Sequence, residues 1–209
     1  MSMRVAVCIS GRGSNLAALL AALGPEAPAR VVLVLSNRAS AGGLELARAA
    51  GVPTAVLQNA ADPAEWLRHL EAARADFVVL AGFLKAVPAA VVARFAGRMV
   101  NVHPALLPAH GGPGMYGRHV HEAVLASGES ESGATVHLVT ERYDEGPILG
   151  QARVPVLPGD TAETLAARVL EVEHRLLPAA VLAAAPGGRA VPFTLEPAPR
   201  GAPDSDTDS

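Results

Sequence analysis

Short apolar runs alternate along the chain with segments in which apolar residues recur at helical spacing. The first run, Arg4–Ile9, is brief, rich in β-branched residues and followed by Ser10 and Gly11, as is typical of buried parallel strands. We predict strands at residues 4–9, 31–35, 52–57, 76–80 and 98–102, and helices at residues 14–23, 44–50, 64–74 and 88–97. This alternation predicts a parallel sheet with right-handed crossovers and helices on both faces.

The pattern changes in the C-terminal part of the chain. Strand-like segments at residues 133–140 and 148–156 are separated by the tight turn 144–147, Asp-Glu-Gly-Pro, which leaves no room for a crossover helix. We therefore expect these two strands to pair antiparallel. A long helix is predicted at residues 161–184 with Asp160 as its N-cap. The expected fold is α/β: a three-layer, Rossmann-like open sheet, mostly parallel, with antiparallel C-terminal strands.

Composition narrows the class of protein. The chain has 209 residues, of which 50% are hydrophobic and 18% charged, so it can form a core and is not disordered throughout. We expect a single domain over residues 1–196 and a disordered acidic tail over residues 197–209. Three aspartates against one arginine in that tail account for −2 of the net charge of −3. The remaining part is nearly neutral, which disfavours nucleic acid as a partner.

The sole cysteine, Cys8, excludes an internal disulfide. The sequence has no secretory leader and no apolar span of about 20 residues, so we expect a cytoplasmic protein with no membrane partner. The sequence does not distinguish a monomer from a homodimer.

A polar loop with two glycines, Ser10-Gly-Arg-Gly-Ser-Asn15, joins the first predicted strand to the first predicted helix. Glycine lets the backbone pass close to a ligand, and the N-terminus of the following helix offers free N–H groups. The loop lacks the lysine of a P-loop, and Leu16 stands where the dinucleotide fingerprint has its third glycine. The loop predicts either a phosphate site or only a tight turn with Ser14 as a helix cap.

Asn101 and His103 lie two residues apart at the end of the fifth predicted strand, so their side chains share one face. Pro104 ends that strand and places the pair at the carboxyl edge of the sheet, where α/β proteins bind ligands. A carboxamide beside an imidazole can stabilise an oxyanion and supply a proton, although such a pair can also only satisfy loop backbone. Asp144 could orient a histidine, or could simply be turn chemistry.

Five motifs occur in this order along the chain: Ser10-Gly-Arg-Gly-Ser-Asn15, Leu80-Ala-Gly-Phe83, Asn101-Val-His-Pro-Ala-Leu-Leu-Pro108, Gly114-Met-Tyr-Gly117 with His119 and His121, and Asp144-Glu-Gly-Pro147. The set strongly resembles the phosphoribosylglycinamide formyltransferase family, the folate-dependent transformylases of purine synthesis. The resemblance runs from about residue 4 to residue 195. The segment around His103 alone is shared with other formyltetrahydrofolate enzymes, whereas the ordered set is specific.

The resemblance implies an enzyme that transfers a formyl group from the co-substrate 10-formyltetrahydrofolate to the amine of phosphoribosylglycinamide. It implies that His103 is the general acid and that Asn101 stabilises the oxyanion. It also implies that Asp144 keeps His103 protonated and helps to relay a proton from the attacking amine. The partners are then small molecules, and neither a protein nucleophile nor a metal is required.

Binding roles are carried over in the same way. The resemblance implies that Gly13, Ser14 and Asn15 hold the ribonucleotide phosphate and that Glu173 holds its ribose hydroxyls. It implies a folate pocket lined by Leu84, Lys85, Ala86, Val87, Thr140, Glu141, Arg142, Tyr143 and Asp144.

The sequence departs from the family pattern at two places. Residues 109–113, Ala-His-Gly-Gly-Pro, replace a shorter turn that carries an aromatic residue in many members. No arginine lies near Asp62 to pair with a folate carboxylate, so that contact is left to Lys85 or Arg12.

Three alternatives are weighed against the transferase. A formyltetrahydrofolate hydrolase would use water in place of the amine, and such enzymes usually carry an N-terminal regulatory domain, which we do not expect here. A methionyl-tRNA formyltransferase would need a further C-terminal domain to hold RNA. A non-enzymatic nucleotide-binding module would need only the glycine loop and would give Asn101, His103 and Asp144 no reason to meet.

Overall fold

The computed structural model describes residues 2–195, and within them seven strands form a single sheet. The strands are β1 (Met3–Ile9), β2 (Ala29–Ser36), β3 (Thr54–Val56), β4 (Phe77–Leu80), β5 (Met99–His103), β6 (Glu131–Leu138) and β7 (Ile148–Pro155). The helices are α1 (Ser14–Ala22), α2 (Gly43–Ala49), α3 (Pro63–Ala72), α4 (Ala89–Arg94), α5 (Arg118–Ser127) and α6 (Ala162–Ala184).

The sheet has the order β3-β2-β1-β4-β5-β6-β7. The strands from β1 to β5 pair parallel, whereas β6 pairs antiparallel with both β5 and β7. This confirms the predicted α/β fold with a mostly parallel sheet and antiparallel C-terminal strands. It adds one feature that was not predicted, the antiparallel β5–β6 pairing.

Strand β1 shows why the sheet is covered on both faces. Val5, Val7 and Ile9 pack into a core with α1, α2, α5 and α6, whereas Ala6 and Cys8 pack into a second core with α3 and α4. All five side chains are fully buried. A strand that is apolar on both faces requires a layer of helices on each side, as the continuous apolar run predicted.

Helix α5 was not predicted from the sequence. Few of its apolar side chains recur at helical spacing, and its buried side is formed by Val120, His121 and Val124. Histidines and charged residues interrupt the apolar pattern, which weakens the periodic signal on which the other helices were recognised.

Two predicted helix caps are wrong by one residue. Gly13, not Ser14, precedes α1 as its N-cap and makes no side-chain cap hydrogen bond. Thr161, not Asp160, caps α6 and forms a reciprocal capping box with Thr164. Asp160 instead accepts hydrogen bonds from Arg168, at 2.7 and 2.9 Å, because the neighbouring threonine already satisfies the helix end.

After α6 the chain returns to the sheet, where the Phe193 N–H donates to the Leu149 carbonyl at 2.9 Å. Phe193 occupies the space beside Gly150, where a Cβ would lie 2.6 Å from its ring. The single domain over residues 1–196 stays a prediction. The predicted acidic tail, residues 197–209, lies outside the described residues.

Candidate active site

A cavity of about 790 Å³ opens at the carboxyl ends of β1, β4 and β5. The sheet order reverses between β1 and β4, so the segments that follow these two strands diverge and leave a crevice, the usual ligand position in open α/β sheets. Every predicted site residue except Gly13 lines this cavity: Ser14, Asn15, Leu84, Lys85, Ala86, Val87, Asn101, His103, Thr140, Glu141, Arg142, Tyr143, Asp144 and Glu173.

The three residues proposed for chemistry are brought together from two segments. His103 ends β5, and its Nδ1 lies 3.6 Å from Oδ2 of Asp144. This distance is too long for a hydrogen bond but short enough for a strong electrostatic interaction. Both side chains are at least nine-tenths buried. A carboxylate and an imidazole therefore face each other at the bottom of the cavity.

The turn that carries Asp144 depends on a glycine. Asp144 itself has a φ of 55°, in the left-handed region, and the Leu138 N–H donates across the turn to the Pro147 carbonyl at 2.9 Å. A Cβ at Gly146 would lie 1.7 Å from the Leu138 carbonyl oxygen. No other residue type fits there without a shift of the backbone. Gly146 therefore allows the backbone conformation that directs the Asp144 side chain into the cavity.

His137 also belongs to the cluster of Asn101, His103 and Asp144, and it was not predicted from the sequence. Its Nε2 lies 3.4 Å from Oδ1 of Asp144 and 3.1 Å from Nδ2 of Asn101. Its Nδ1 lies 3.0 Å from the Leu138 carbonyl, which only accepts, so Nδ1 carries a proton, and Nε2 lies within hydrogen-bond distance of the Asn101 amide nitrogen. Asn101 keeps a second amide N–H for another partner. The β5–β6 register, which pairs Asn101 with His137, was the signal that could have found this residue.

The electrostatics of the pair follow from burial and charge. Burial lowers the pKa of His103 and outweighs Asp144, which raises it. Burial raises the pKa of Asp144, but His137, His103 and the Gly112 N–H together bring it below its usual value. Asp144 is thus ionised at neutral pH. The expectation that Asp144 keeps His103 protonated is opposed by desolvation, which favours the neutral imidazole.

The unusual loop 109–113 holds both members of the pair. The His110 carbonyl accepts a 2.7 Å hydrogen bond from Nε2 of His103, and the Gly112 N–H donates to Oδ2 of Asp144 at 2.9 Å. A Cβ at Gly111 would lie 2.5 Å from the Leu107 side chain and 3.2 Å from Cβ of Asp144. The loop therefore approaches Asp144 and the segment after His103 closely enough to need glycine.

Thr135 and Gln151 brace the chain where it leaves β5. The fully buried Thr135 hydroxyl donates to the Ala105 carbonyl at 2.7 Å and accepts from the Leu107 N–H at 3.1 Å. Gln151 Nε2 donates both to that hydroxyl and to the Leu107 carbonyl, each at 2.9 Å. Neither residue was predicted. Their effect is to fix the segment after His103 against β6 and β7.

The glycine loop lies at the other end of the cavity. Gly13 has a φ of 82° and approaches α2, where its Cβ would lie 2.7 Å from Cα of Gly43. Gly13 does not line the cavity, so its part in the site is to shape the turn that places Ser14 and Asn15 there. The free N–H groups at the start of α1 make this end suitable for an anion.

Asn15 and Glu173 meet although they are 158 residues apart in the chain. Asn15 Nδ2 donates to Oε2 of Glu173 at 2.5 Å, and among the described residues Oδ1 of Asn15 has no partner. Both residues are buried, at 8% exposure each. Burial raises the pKa of Glu173 to about 7, and the Asn15 hydrogen bond lowers it only in part. This end of the cavity therefore holds a carboxyl group that titrates near neutral pH, that of Glu173, and an amide oxygen without a described partner, that of Asn15.

The cavity mouth is more exposed. Leu84 and Tyr143 are 39% and 48% exposed. The Leu84 N–H donates to Oγ of Ser10 at 2.8 Å, which ties the segment after β4 to the segment after β1. Lys85 and Arg12 both line the cavity, whereas Asp62 accepts from the Ala64 N–H as the cap of α3.

Within residues 2–195, no group of three or more His, Cys, Asp or Glu side chains is arranged to hold a metal ion. His121 is buried and lines the cavity, whereas His119 is exposed and lies 3.3 Å from Glu122. In the same part of the chain, no helix is both long and apolar enough to cross a membrane.

The chain is similar to known formyltransferases in sequence and in structure. Residues 3–181 match the formyl transferase family, and the chain belongs to that family. It is 40% identical to the phosphoribosylglycinamide formyltransferase of Escherichia coli, covering 84% of each chain, and 44% identical to the chloroplastic enzyme of that name from Arabidopsis thaliana, covering 83% of this chain and 62% of the relative. The crystal structure of glycinamide ribonucleotide transformylase 1 from Symbiobacterium toebii superposes with a TM-score of 0.82 at 42% identity over 89% of each chain.

Several relatives are much longer proteins. The chain spans 15% of the trifunctional purine biosynthetic protein adenosine-3 of Drosophila pseudoobscura, at 44% identity. The resemblance that the motifs indicated is thus confirmed at the level of the family. The roles of the individual site residues stay predictions.

Proposed function

We propose that this protein transfers the formyl group of 10-formyltetrahydrofolate to the primary amine of phosphoribosylglycinamide, a step of purine synthesis. The observation that carries the proposal is the meeting of Asn101, His103 and Asp144 in one cavity, between the glycine loop and an exposed mouth. The names of the relatives that match most of this chain support the same reaction.

The chemistry needs a group that takes up a proton and gives it back. The amine attacks the formyl carbon and forms a tetrahedral oxyanion, which collapses when the bond to N10 of the folate breaks. The amine loses one proton and the folate nitrogen gains one, so the protein only moves a proton. The lone pair on Nδ1 of neutral His103 accepts it, Asp144 stabilises the imidazolium, and His103 then acts as the general acid toward the leaving nitrogen.

Asn101 would stabilise the oxyanion. One N–H of its amide is bonded to His137, which fixes the orientation of the carboxamide, and the second N–H is available. A preorganised donor of this kind contributes about 3 kcal/mol to transition-state stabilisation. Holding two substrates together contributes up to about 7–11 kcal/mol more.

The two ends of the cavity divide the substrates between them. Ser14, Asn15 and the start of α1 would bind the ribonucleotide phosphate, and Glu173 its ribose hydroxyls. The folate would lie toward the mouth, along residues 84–87 and 140–143. Its pterin would be recognised largely through backbone hydrogen bonds, and Lys85 or Arg12 are available for a carboxylate of its tail.

The decisive experiment is a spectrophotometric assay of tetrahydrofolate release with phosphoribosylglycinamide present and absent. Release that requires the ribonucleotide supports the transferase. Release without it would identify a hydrolase, and no release in either case would identify a binding module. The proposal includes no metal, so the rate is expected to be the same after treatment with a chelator.

The cytoplasm is the location we propose, although two plant relatives are chloroplastic. We propose no nucleic acid or membrane partner, and we leave both a monomer and a homodimer open.

A further inference from the structure

We propose that His110 and Glu129 form an anchor that sets the tautomer of His103, which makes them positioning residues for the transfer reaction. This inference rests on the proposed role of His103. It concerns the loop 109–113, where the sequence departs from the pattern of its family.

The anchor is a hydrogen bond between two side chains outside the cluster. His110 Nε2 lies 2.8 Å from Oε1 of Glu129, which stands between the end of α5 and the start of β6. The His110 side chain is 14% exposed and that of Glu129 is 42% exposed. Neither residue lines the cavity, so neither is placed to touch a substrate.

Backbone hydrogen bonds hold the loop on either side of His110: the Ala109 N–H donates to the Leu106 carbonyl at 3.1 Å, and the Gly112 N–H donates to Asp144 at 2.9 Å. His110 has a φ of 54°, a left-handed conformation that residues other than glycine adopt rarely, and Gly111 and Gly112 follow it. Glycines leave many backbone conformations open. Between these two bonds, His110 itself is held by the hydrogen bond of its side chain to Glu129, which thereby contributes to the direction of its carbonyl.

The carbonyl in turn decides which nitrogen of His103 carries the proton. A carbonyl oxygen only accepts, so its 2.7 Å contact requires a hydrogen on Nε2. In the neutral ring, Nδ1 then keeps its lone pair on the side of Asp144, where the proposed mechanism needs it. Without the anchor, the carbonyl can turn away and the opposite tautomer becomes accessible.

The test removes the anchor from either end. Glu129→Ala deletes the acceptor. His110→Asn keeps a residue that tolerates the left-handed conformation but is too short to reach Glu129. We expect each to lower kcat about three- to ten-fold, in line with the loss of about 1 kcal/mol of positioning, while KM for both substrates changes less than about two-fold. In each, ¹⁵N NMR of His103 should show a larger share of the Nδ1–H tautomer.

Two controls distinguish positioning from a structural effect. Glu129→Gln retains an oxygen that accepts from His110 and is expected to restore both kcat and the His103 tautomer. Glu131→Ala removes a comparable exposed ion pair with Arg153, two residues further along the chain, and is expected to leave both unchanged. All variants are expected to unfold within a few degrees of the parent protein, because exposed pairs contribute little to stability.

The result that would overturn the inference is a wild-type kcat and an unchanged His103 spectrum in both Glu129→Ala and His110→Asn. The proposed function fails in a different way: His103→Ala would then retain its activity. If His103→Ala is inactive while the anchor variants behave as wild type, the function stands and the anchor does not.

Discussion

Two of the carboxyl groups that line the cavity, those of Asp144 and Glu173, have opposite properties. Burial raises the pKa of Asp144, but its contacts with His137, His103 and the Gly112 N–H together bring the pKa below its usual value. Burial raises the pKa of Glu173 to about 7, and the hydrogen bond from the neutral amide of Asn15 lowers it only in part. The comparison shows that burial alone does not determine ionisation in this site. The number and charge of the partners decide which end of the cavity holds a permanent negative charge.

The largest effect is expected at the charged end. His103→Ala and Asp144→Ala should each lower kcat by about 10²- to 10⁴-fold, because proton transfer loses either its carrier or the charge that stabilises it. Steady-state kinetics measure the loss, and circular dichroism checks that the proteins stay folded. Near-normal turnover in folded variants would contradict the roles of both residues and remove the functional contrast between the two carboxyl groups.

At the other end, Glu173→Gln should change the pH dependence of stability. The pKa of Glu173 rises from 4.5 to about 7 on folding, so its contribution to stability is full below pH 4.5 and is lost as pH rises through 7. Above pH 7 the ionised carboxylate destabilises the fold by roughly 2–3 kcal/mol, and glutamine relieves this. Urea unfolding at pH 5 and pH 8 should therefore show the variant gaining relative stability at pH 8. Equal differences at both values would show that Glu173 is ionised like Asp144.

A smaller effect is expected at Asn15, whose amide donates a hydrogen bond to Glu173. Asn15→Ala should raise KM for the ribonucleotide about ten-fold with little change in KM for the folate, because a hydrogen bond to a charged ligand is worth about 1.5 kcal/mol. Initial rates with each substrate varied in turn give the two constants. A selective rise in KM for the folate would instead assign this end of the cavity to the other substrate.

Most of the fold could be predicted because strand and helix periods alternate clearly along the chain. Strand β1 is apolar on both faces, and this local property requires helices on each side of the sheet. Helix α5 escaped because its buried side includes His121, which carries no apolar signal. The cap of α6 was misassigned because Asp160 and Thr161 are both good cap residues and stand side by side, and only the structure shows that the Thr164 N–H donates to Thr161.

The sequence identified residues that line the cavity, but it did not show which of them pair with one another. Asn101 and His103 stand together in the sequence. His137 joins them only through the β5–β6 register, and Asn15 reaches Glu173 only because α1 packs against α6. No local pattern contains that information.

The clash that any side chain at Gly146 would make with the Leu138 carbonyl has a consequence for how such motifs are compared. A distant sequence could keep the acidic residue of the Asp-Glu-Gly-Pro turn, but if the glycine were replaced, the carboxylate would no longer point into the cavity. The glycine of this short motif therefore records a backbone conformation, just as the aspartate records a reactive group. A search that scores only reactive groups would accept proteins in which the carboxylate points elsewhere.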